Sequence, residues 1–167
     1  MTAPFVIEVL GPEHDRTGFS SGVEILDRYF REQVTQDVRR RATACYVAVD
    51  VATTKVAGYY TLAAAGVALA DLPAQLAKRL PRYPLVPVAR LGRLAVDLAY
   101  RGRQVGGSLL WDGVMRALRS EIAVYALVVD AKDDQAVSFY RHFGFASLSS
   151  SPRRLVLPLA NLARAKS

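Results

Sequence analysis

Apolar and polar positions change rhythm several times along this chain, and each rhythm predicts an element. Residues 5–10 read as a short opening strand, closed by Gly11-Pro12, with a polar loop running on to about Gly18. Ile25, Leu26, Tyr29, Phe30 and Val34 fall at helical spacing, which predicts a helix over 23–41. Arg39-Arg40-Arg41 closes it, where cations suit the helix dipole. Segments 43–49 and 55–64, rich in Val, Tyr and Thr, predict two strands joined by a short turn. A short amphipathic helix over 71–82 is bounded by prolines. Residues 85–98 predict a long strand whose apolar phase runs Val86, Val88, slips at Leu91-Gly92 and resumes at Leu94, Val96, the mark of a bulge.

A turn at 99–103 then leads into a helix of about sixteen residues carrying Val105, Leu109, Leu110, Val114 and Leu118. Residues 124–129 are nearly all apolar, as in a strand covered on both faces. A last helix over 133–142, a closing strand over 153–157 and a basic tail complete the order β-α-β-β-α-β-α-β-α-β. That order predicts an α/β chain, a mixed sheet with helices on its faces, in one domain spanning 1–167. No internal repeat, low-complexity tract or linker interrupts it.

Composition narrows the picture. The chain has 167 residues, 51% apolar and 22% charged, enough for a full core and unlike a disordered segment. One cysteine, Cys45, excludes a disulfide framework, and two histidines leave little for a zinc site, so no metal is expected. The single thiol points to a reducing, cytoplasmic setting. No 18-residue apolar run is present, and residues 1–10 lack the basic start and apolar stretch of a signal peptide, so no membrane is expected. The net charge is +7, and 18 of the 22 cationic residues are Arg. Arginine grips phosphate through a planar fork, which favours a polyanionic partner; an arginine-rich genome would give the same bias.

The strongest candidate chemistry lies where the long strand meets the next helix. Arg101, Gly102, Arg103, Gln104, Val105, Gly106 and Gly107 leave a strand and open a helix, whose first N–H groups lack partners and whose dipole is positive there. Glycines permit close backbone approach, so the segment suits a pyrophosphate; the alternative is an ordinary turn with glycine for geometry. It is neither G-x-G-x-x-G nor a Walker loop, which removes dinucleotide redox chemistry and nucleotide hydrolysis. Gly18-Phe19-Ser20-Ser21-Gly22 matches G-x-S-x-G, but polar residues precede it where a nucleophile elbow needs a buried strand. Ser20 or Ser21 is instead expected to cap the following helix, with Glu24 completing a capping box. Asp130, Asp133 and Asp134 read as a solvated loop and helix start. Ala136, Phe139, Tyr140 and Phe143 form a stripe in which only the Tyr140 hydroxyl needs a polar partner.

Together these pieces resemble the Gcn5-related N-acetyltransferase superfamily. Arg101-x-x-Gln104-x-Gly106 is similar to its acetyl-CoA loop, and Ala136-x-x-Phe139-Tyr140-x-x-Phe143-Gly144-Phe145 to its second cofactor motif. A closer resemblance is to the acetyltransferase toxins of bacterial toxin–antitoxin pairs. It is carried by Phe19-x-Ser21-Gly22, Gly58-Tyr59-Tyr60-Thr61-Leu62, Leu80-Pro81-x-Tyr83-Pro84, Val88-x-Arg90-Leu91-Gly92-Arg93-Leu94-Ala95-Val96-Asp97, Val129-Asp130-Ala131-Lys132 and Arg154-Leu155-x-Leu157-Pro158. Gln104 departs from the family's first loop glycine, and Asp133 stands where many members have Asn.

The resemblance implies a mostly antiparallel sheet splayed between the fourth and fifth strands, with acetyl-CoA in the splay. It implies that backbone near Leu94, Ala95 and Val96 binds the pantetheine arm, that Arg101 to Gly107 hold the pyrophosphate, and that Asp133 and Ala136, in the second cofactor motif, also bind the cofactor. It implies direct attack by an amine on the thioester, with Tyr140 as general acid. The implied acceptor is the α-amino group of aminoacyl-tRNA, which stops translation, and the implied partners are a second copy of the chain and a ribbon-helix-helix antitoxin. Arg90 and Arg93, then Arg39, Arg40, Arg41, Arg79 and Arg82, are the candidates for holding tRNA phosphates. Two other readings stay open: acetylation of a protein N-terminus or small molecule, and a non-catalytic acyl-CoA-binding domain.

Overall fold

Seven strands and five helices are laid down in the order β1 (Phe5–Val9), α1 (Glu24–Arg28), α2 (Val34–Arg39), β2 (Ala44–Asp50), β3 (Val56–Ala68), α3 (Ala74–Ala77), β4 (Leu85–Val96), α4 (Val105–Leu118), β5 (Ala126–Asp130), α5 (Asp134–His142), β6 (Ala146–Ser147) and β7 (Arg154–Pro158) among the described residues. The structure is a computed structural model and describes residues 4–160 and 162. The basic tail and the first three residues, read above from sequence, lie outside the described residues. Strand order in the sheet is β1-β2-β3-β4-β5-β7-β6. β1–β2, β2–β3, β5–β7 and β6–β7 pair antiparallel, whereas β4–β5 is parallel, so the expected mixed α/β sheet is present. The parallel pairing joins Val88–Leu91 to Ala126–Val129, and β4 runs on through residues 92–96 past its last pair with β5.

The chain divides into two compact units, one of Met1–Ala63 with Gly92–Gly113, the other of Ala64–Leu91 with Val114–Ser167. In the first, Phe30 stacks on Tyr59 at 4.2 Å between ring centres, and Phe19 packs edge-on against both. Tyr29, Val34, Cys45, Val47, Val56 and Ala95 complete that core. Each of the larger apolar side chains among them contributes on the order of 1.5–3 kcal/mol on burial. Gly58 lets β3 lie tightly in this unit: a Cβ there would sit 2.8 Å from the Ala95 carbonyl oxygen and 2.8 Å from Leu109 Cδ1. In the second unit, Ala126, Val128, Val86, Val88, Leu148 and Val156 form a separate core. Residues 126–129 of β5 are all buried, as their apolar run predicts.

Several local expectations are corrected. The helix over 23–41 is interrupted by a π-helical turn at Tyr29–Gln33, a change of pitch that apolar spacing does not reveal. The expected capping box is absent: α1 starts after Val23 without a side-chain cap, and Asp27 Oδ1 instead accepts from the Ser21 N–H at 2.9 Å and the Ser21 hydroxyl at 2.6 Å. Asp27 is thus buried with its charge satisfied. The helix over 71–82 contracts to a 3₁₀ turn at Leu69–Asp71 and the single turn α3, while β3 runs four residues further than the 64 expected, to Ala68. Along β4, burial changes phase at Ala89 and Leu91, earlier than the slip read from sequence. β6, two residues long, had no sequence signal.

Candidate active site

In the first unit, β4 ends at Val96 and Asp97 turns the chain. Asp97 Oδ1 accepts from the Ala99 N–H at 2.9 Å and Oδ2 from the Ser20 N–H at 3.0 Å, and its own N–H donates to the Ala57 carbonyl at 2.8 Å. A 3₁₀ turn, Leu98–Tyr100, follows, anchored by Tyr100 Oη donating to Asp50 Oδ2 at 2.7 Å. Arg101, Gly102, Arg103 and Gln104 are then all exposed. The first helical hydrogen bond of α4 runs from Ser108 N to the Gln104 carbonyl at 3.1 Å, which leaves the N–H groups of Val105, Gly106 and Gly107 without an intrahelical acceptor. That is the donor set an anion needs, and it fits the pyrophosphate the sequence predicts.

The flanking arginines are partly committed. Arg101 Nη2 donates to the Ser21 carbonyl at 3.2 Å, and the Arg103 guanidinium lies 5.0 Å from the Phe5 ring centre and 5.4 Å from that of Tyr100. Two residues of the loop are left-handed, Gly102 at φ 78° and Gln104 at φ 63°. Gln104 is where the resembled loop carries glycine, and the angle gives the reason: an L side chain is disfavoured there by about 1–2 kcal/mol. Gln104→Gly removes that strain but adds unfolded-state entropy. A rise in Tm of about 1–3 °C is expected, and an unchanged or lower Tm by calorimetry counts against strain at this site.

In the second unit, Tyr140 lies on α5, 7% exposed, with Phe139 and Phe145 ring centres at 5.3 and 5.6 Å. Among the described residues its hydroxyl makes no hydrogen bond, and the oxygen itself is not sealed from solvent. Burial pushes its pKa up to about 12, with the Asp130 charge adding to the shift. Asp130, at the end of β5, is shared by two guanidinium groups: Arg90 Nη2 at 2.8 Å and Arg154 Nε at 2.8 Å. Arg154, read from sequence only within the closing Arg154-Leu155-x-Leu157-Pro158 motif and not as a site residue, is held more firmly protonated by that hydrogen bond. No sequence rule pairs residues 64 positions apart across parallel and antiparallel neighbours. Asp133 caps α5, accepting from the Ala136 N–H at 2.8 Å, so both residues are occupied by the helix start. Asp134 lies 3.5 Å from Arg153, and among the described residues no group of three or more potential ligands could hold a metal ion.

The remaining candidates divide. Arg93 sits over the Tyr29 ring in the first unit. Arg39, Arg40 and Arg41 in the first unit, and Arg79 and Arg82 in the second, are exposed. Among the described residues none of these five has an ion pair, so their charge is available to solvent or to a polyanion.

Residues 13–145 match the model of the acetyltransferase (GNAT) family. The chain belongs to that family. It is 37% identical over 145 residues to the "tRNA-acetylating toxin" of Mycobacterium tuberculosis, covering 86% of this chain and 85% of that protein. It is 29% identical over 167 residues to the "Probable toxin TacT" of Sinorhizobium fredii, covering 94% and 92%. Among solved structures, "AtaT complexed with acetyl-methionyl-tRNAfMet" superimposes with a TM-score of 0.89 at 25% identity, covering 98% of this chain and 99% of that one. The GNAT fold read from the motifs is therefore the fold of this chain. Among the described residues no helix is long and apolar enough to cross a membrane.

Proposed function

We propose that this acetyltransferase is the toxin of a toxin–antitoxin pair and moves acetyl from acetyl-CoA to the α-amino group of an aminoacyl-tRNA, stopping translation. The observation that carries the chemistry is the buried Tyr140 phenol, kept protonated by its surroundings, whose hydroxyl makes no hydrogen bond among the described residues. A phenol in that state has a proton to give and, among the described residues, no acceptor competing for it, which suits a general acid for a departing thiolate. Acetyl-CoA supplies the activated acetyl group. The N–H groups of Val105, Gly106 and Gly107 hold its pyrophosphate, with Arg101, Gly102, Arg103 and Gln104 forming the exposed lip of that cradle, and backbone at Leu94, Ala95 and Val96 holds the pantetheine arm. Asp133 and Ala136 support the motif by starting α5 rather than by direct contact.

The acceptor follows from acid–base chemistry and charge. An α-amino group titrates near ~8, so a useful fraction is already neutral at physiological pH and needs no dedicated carboxylate base; a lysine near ~10.4 would. The net charge of +7 suits a nucleic acid carrier. The relatives' names, a tRNA-acetylating toxin and a structure with an acetylated aminoacyl-tRNA, support the same acceptor. The proposal includes a homodimer, a ribbon-helix-helix antitoxin, a cytoplasmic setting and no metal. The test is transfer of label from acetyl-CoA to bulk aminoacyl-tRNA by wild type beside Tyr140→Phe. Label on the amino acid, largely lost in the variant, is the expected result. An enzyme that binds acetyl-CoA but labels no aminoacyl-tRNA moves the acceptor to protein or small-molecule amines.

A further inference from the structure

Arg93 and Tyr29 meet face to face in the first unit. The guanidinium carbon is 3.5 Å from the centre of the Tyr29 ring. With nitrogens about 1.3 Å from that carbon, an edge-on guanidinium would push them inside van der Waals contact, so the two planes lie flat on one another. Period-two alternation puts Arg93 and Ala95 on the same face of β4, and Ala95 is buried in the core that contains Tyr29. The platform is rigid. Tyr29 is 7% exposed, its hydroxyl donates to Asp37 Oδ2 at 2.7 Å, and it belongs to the buried cluster that holds Phe30, Tyr59 and Phe19. Tyr29 opens the π-helical turn, whose wider coil brings Asp37, eight residues on, within reach of the phenol.

One face of the Arg93 guanidinium is therefore used, while its edge is not. The N–H donors lie in the plane of the fork, and among the described residues none makes a hydrogen bond or ion pair. This distinguishes Arg93 from Arg90, already held by Asp130, and from Arg101, already on the Ser21 carbonyl. A half-buried planar donor edge of fixed orientation matches the paired oxygens of a phosphate. We propose that Tyr29 is a positioning residue that fixes the plane of the Arg93 fork, and that this fork takes a tRNA phosphate in bidentate fashion. The proposal rests on the aminoacyl-tRNA reading above.

The test is steady-state acetylation of bulk aminoacyl-tRNA, with both substrates varied, by wild type, Tyr29→Leu, Tyr29→Phe, Arg93→Lys and Arg93→Gln. Leu removes the platform and Lys keeps the charge without the fork, so each raises KM for aminoacyl-tRNA about tenfold. The kcat and the KM for acetyl-CoA stay within about twofold, which a general loss of structure would not leave intact. Tyr29→Phe keeps the ring and stays near wild type. Arg93→Gln also lowers the slope of log affinity against log salt by about 0.7–0.9, one phosphate contact. A wild-type KM in Arg93→Lys overturns the proposal even where Tyr29→Leu fails to fold, because charge alone would then suffice. A wild-type KM in a folded Tyr29→Leu overturns it equally. Failure of the wild type itself to acetylate aminoacyl-tRNA overturns the functional reading instead, and is seen before any variant is compared.

Discussion

Replacing Tyr140 with phenylalanine is expected to lower kcat for acetyl transfer about 100- to 1,000-fold, with acetyl-CoA affinity within about twofold of wild type. The substitution removes one oxygen and keeps the ring that packs on Phe139 and Phe145. Since that oxygen makes no hydrogen bond among the described residues, none of their groups is orphaned by its loss, and Tm should not fall. The pH profile gives an independent check. The acid must be protonated to work, and a pKa pushed up to about 12 keeps it so across the accessible range. The rate should therefore rise as the acceptor amine deprotonates near ~8 and then level off. A descending limb near pH 9–10, or a kcat unchanged in the variant, would show that another group protonates the thiolate.

The largest effect on stability is expected at Gly58. A Cβ there meets the Ala95 carbonyl oxygen and Leu109 Cδ1, both at 2.8 Å, and Val105 Cγ1 at 3.3 Å. The leucine tip can move; the carbonyl is backbone of β4 and can yield only by shifting the strand. Gly58→Ala should then destabilise by about 2 kcal/mol, a fall in Tm of about 4–8 °C. Because Ala95 lies in the segment proposed to hold pantetheine and Val105 opens α4, acetyl-CoA binding should weaken in parallel. Calorimetry and titration with acetyl-CoA check both. An unchanged Tm would mean that the strands part at little expense, and the close approach would lose its meaning.

Much of this molecule was legible in its residues for reasons that are local. The β4–loop–α4 unit declares itself because a strand, a left-handed glycine and a helix start each have a short-range signature, and the loop proposed to hold acetyl-CoA is built from those three. The long apolar run before Asp130 marked a strand covered on both faces, since no polar side of a sheet needed supplying. The α5 stripe named Tyr140 for a similar reason: one hydroxyl among apolar residues stands out without any structure.

What sequence left open was decided by contacts between distant positions. The π-helical turn at Tyr29–Gln33 disturbs the apolar spacing too little to be read, yet it brings Asp37 to the Tyr29 phenol and leaves that ring under Arg93. Ser21 and Glu24 satisfied the spacing of a capping box, but buried Asp27 took the Ser21 donors, because a charge removed from water must be satisfied before an exposed one. The arginines show the same division. Their number, 18 against 15 acidic residues, is read from the chain and decides the sign of the net charge. Only the fold assigned Arg90 and Arg154 to Asp130, Arg101 to a carbonyl and Arg93 to an aromatic face, because a guanidinium's partner is set by where strands place it.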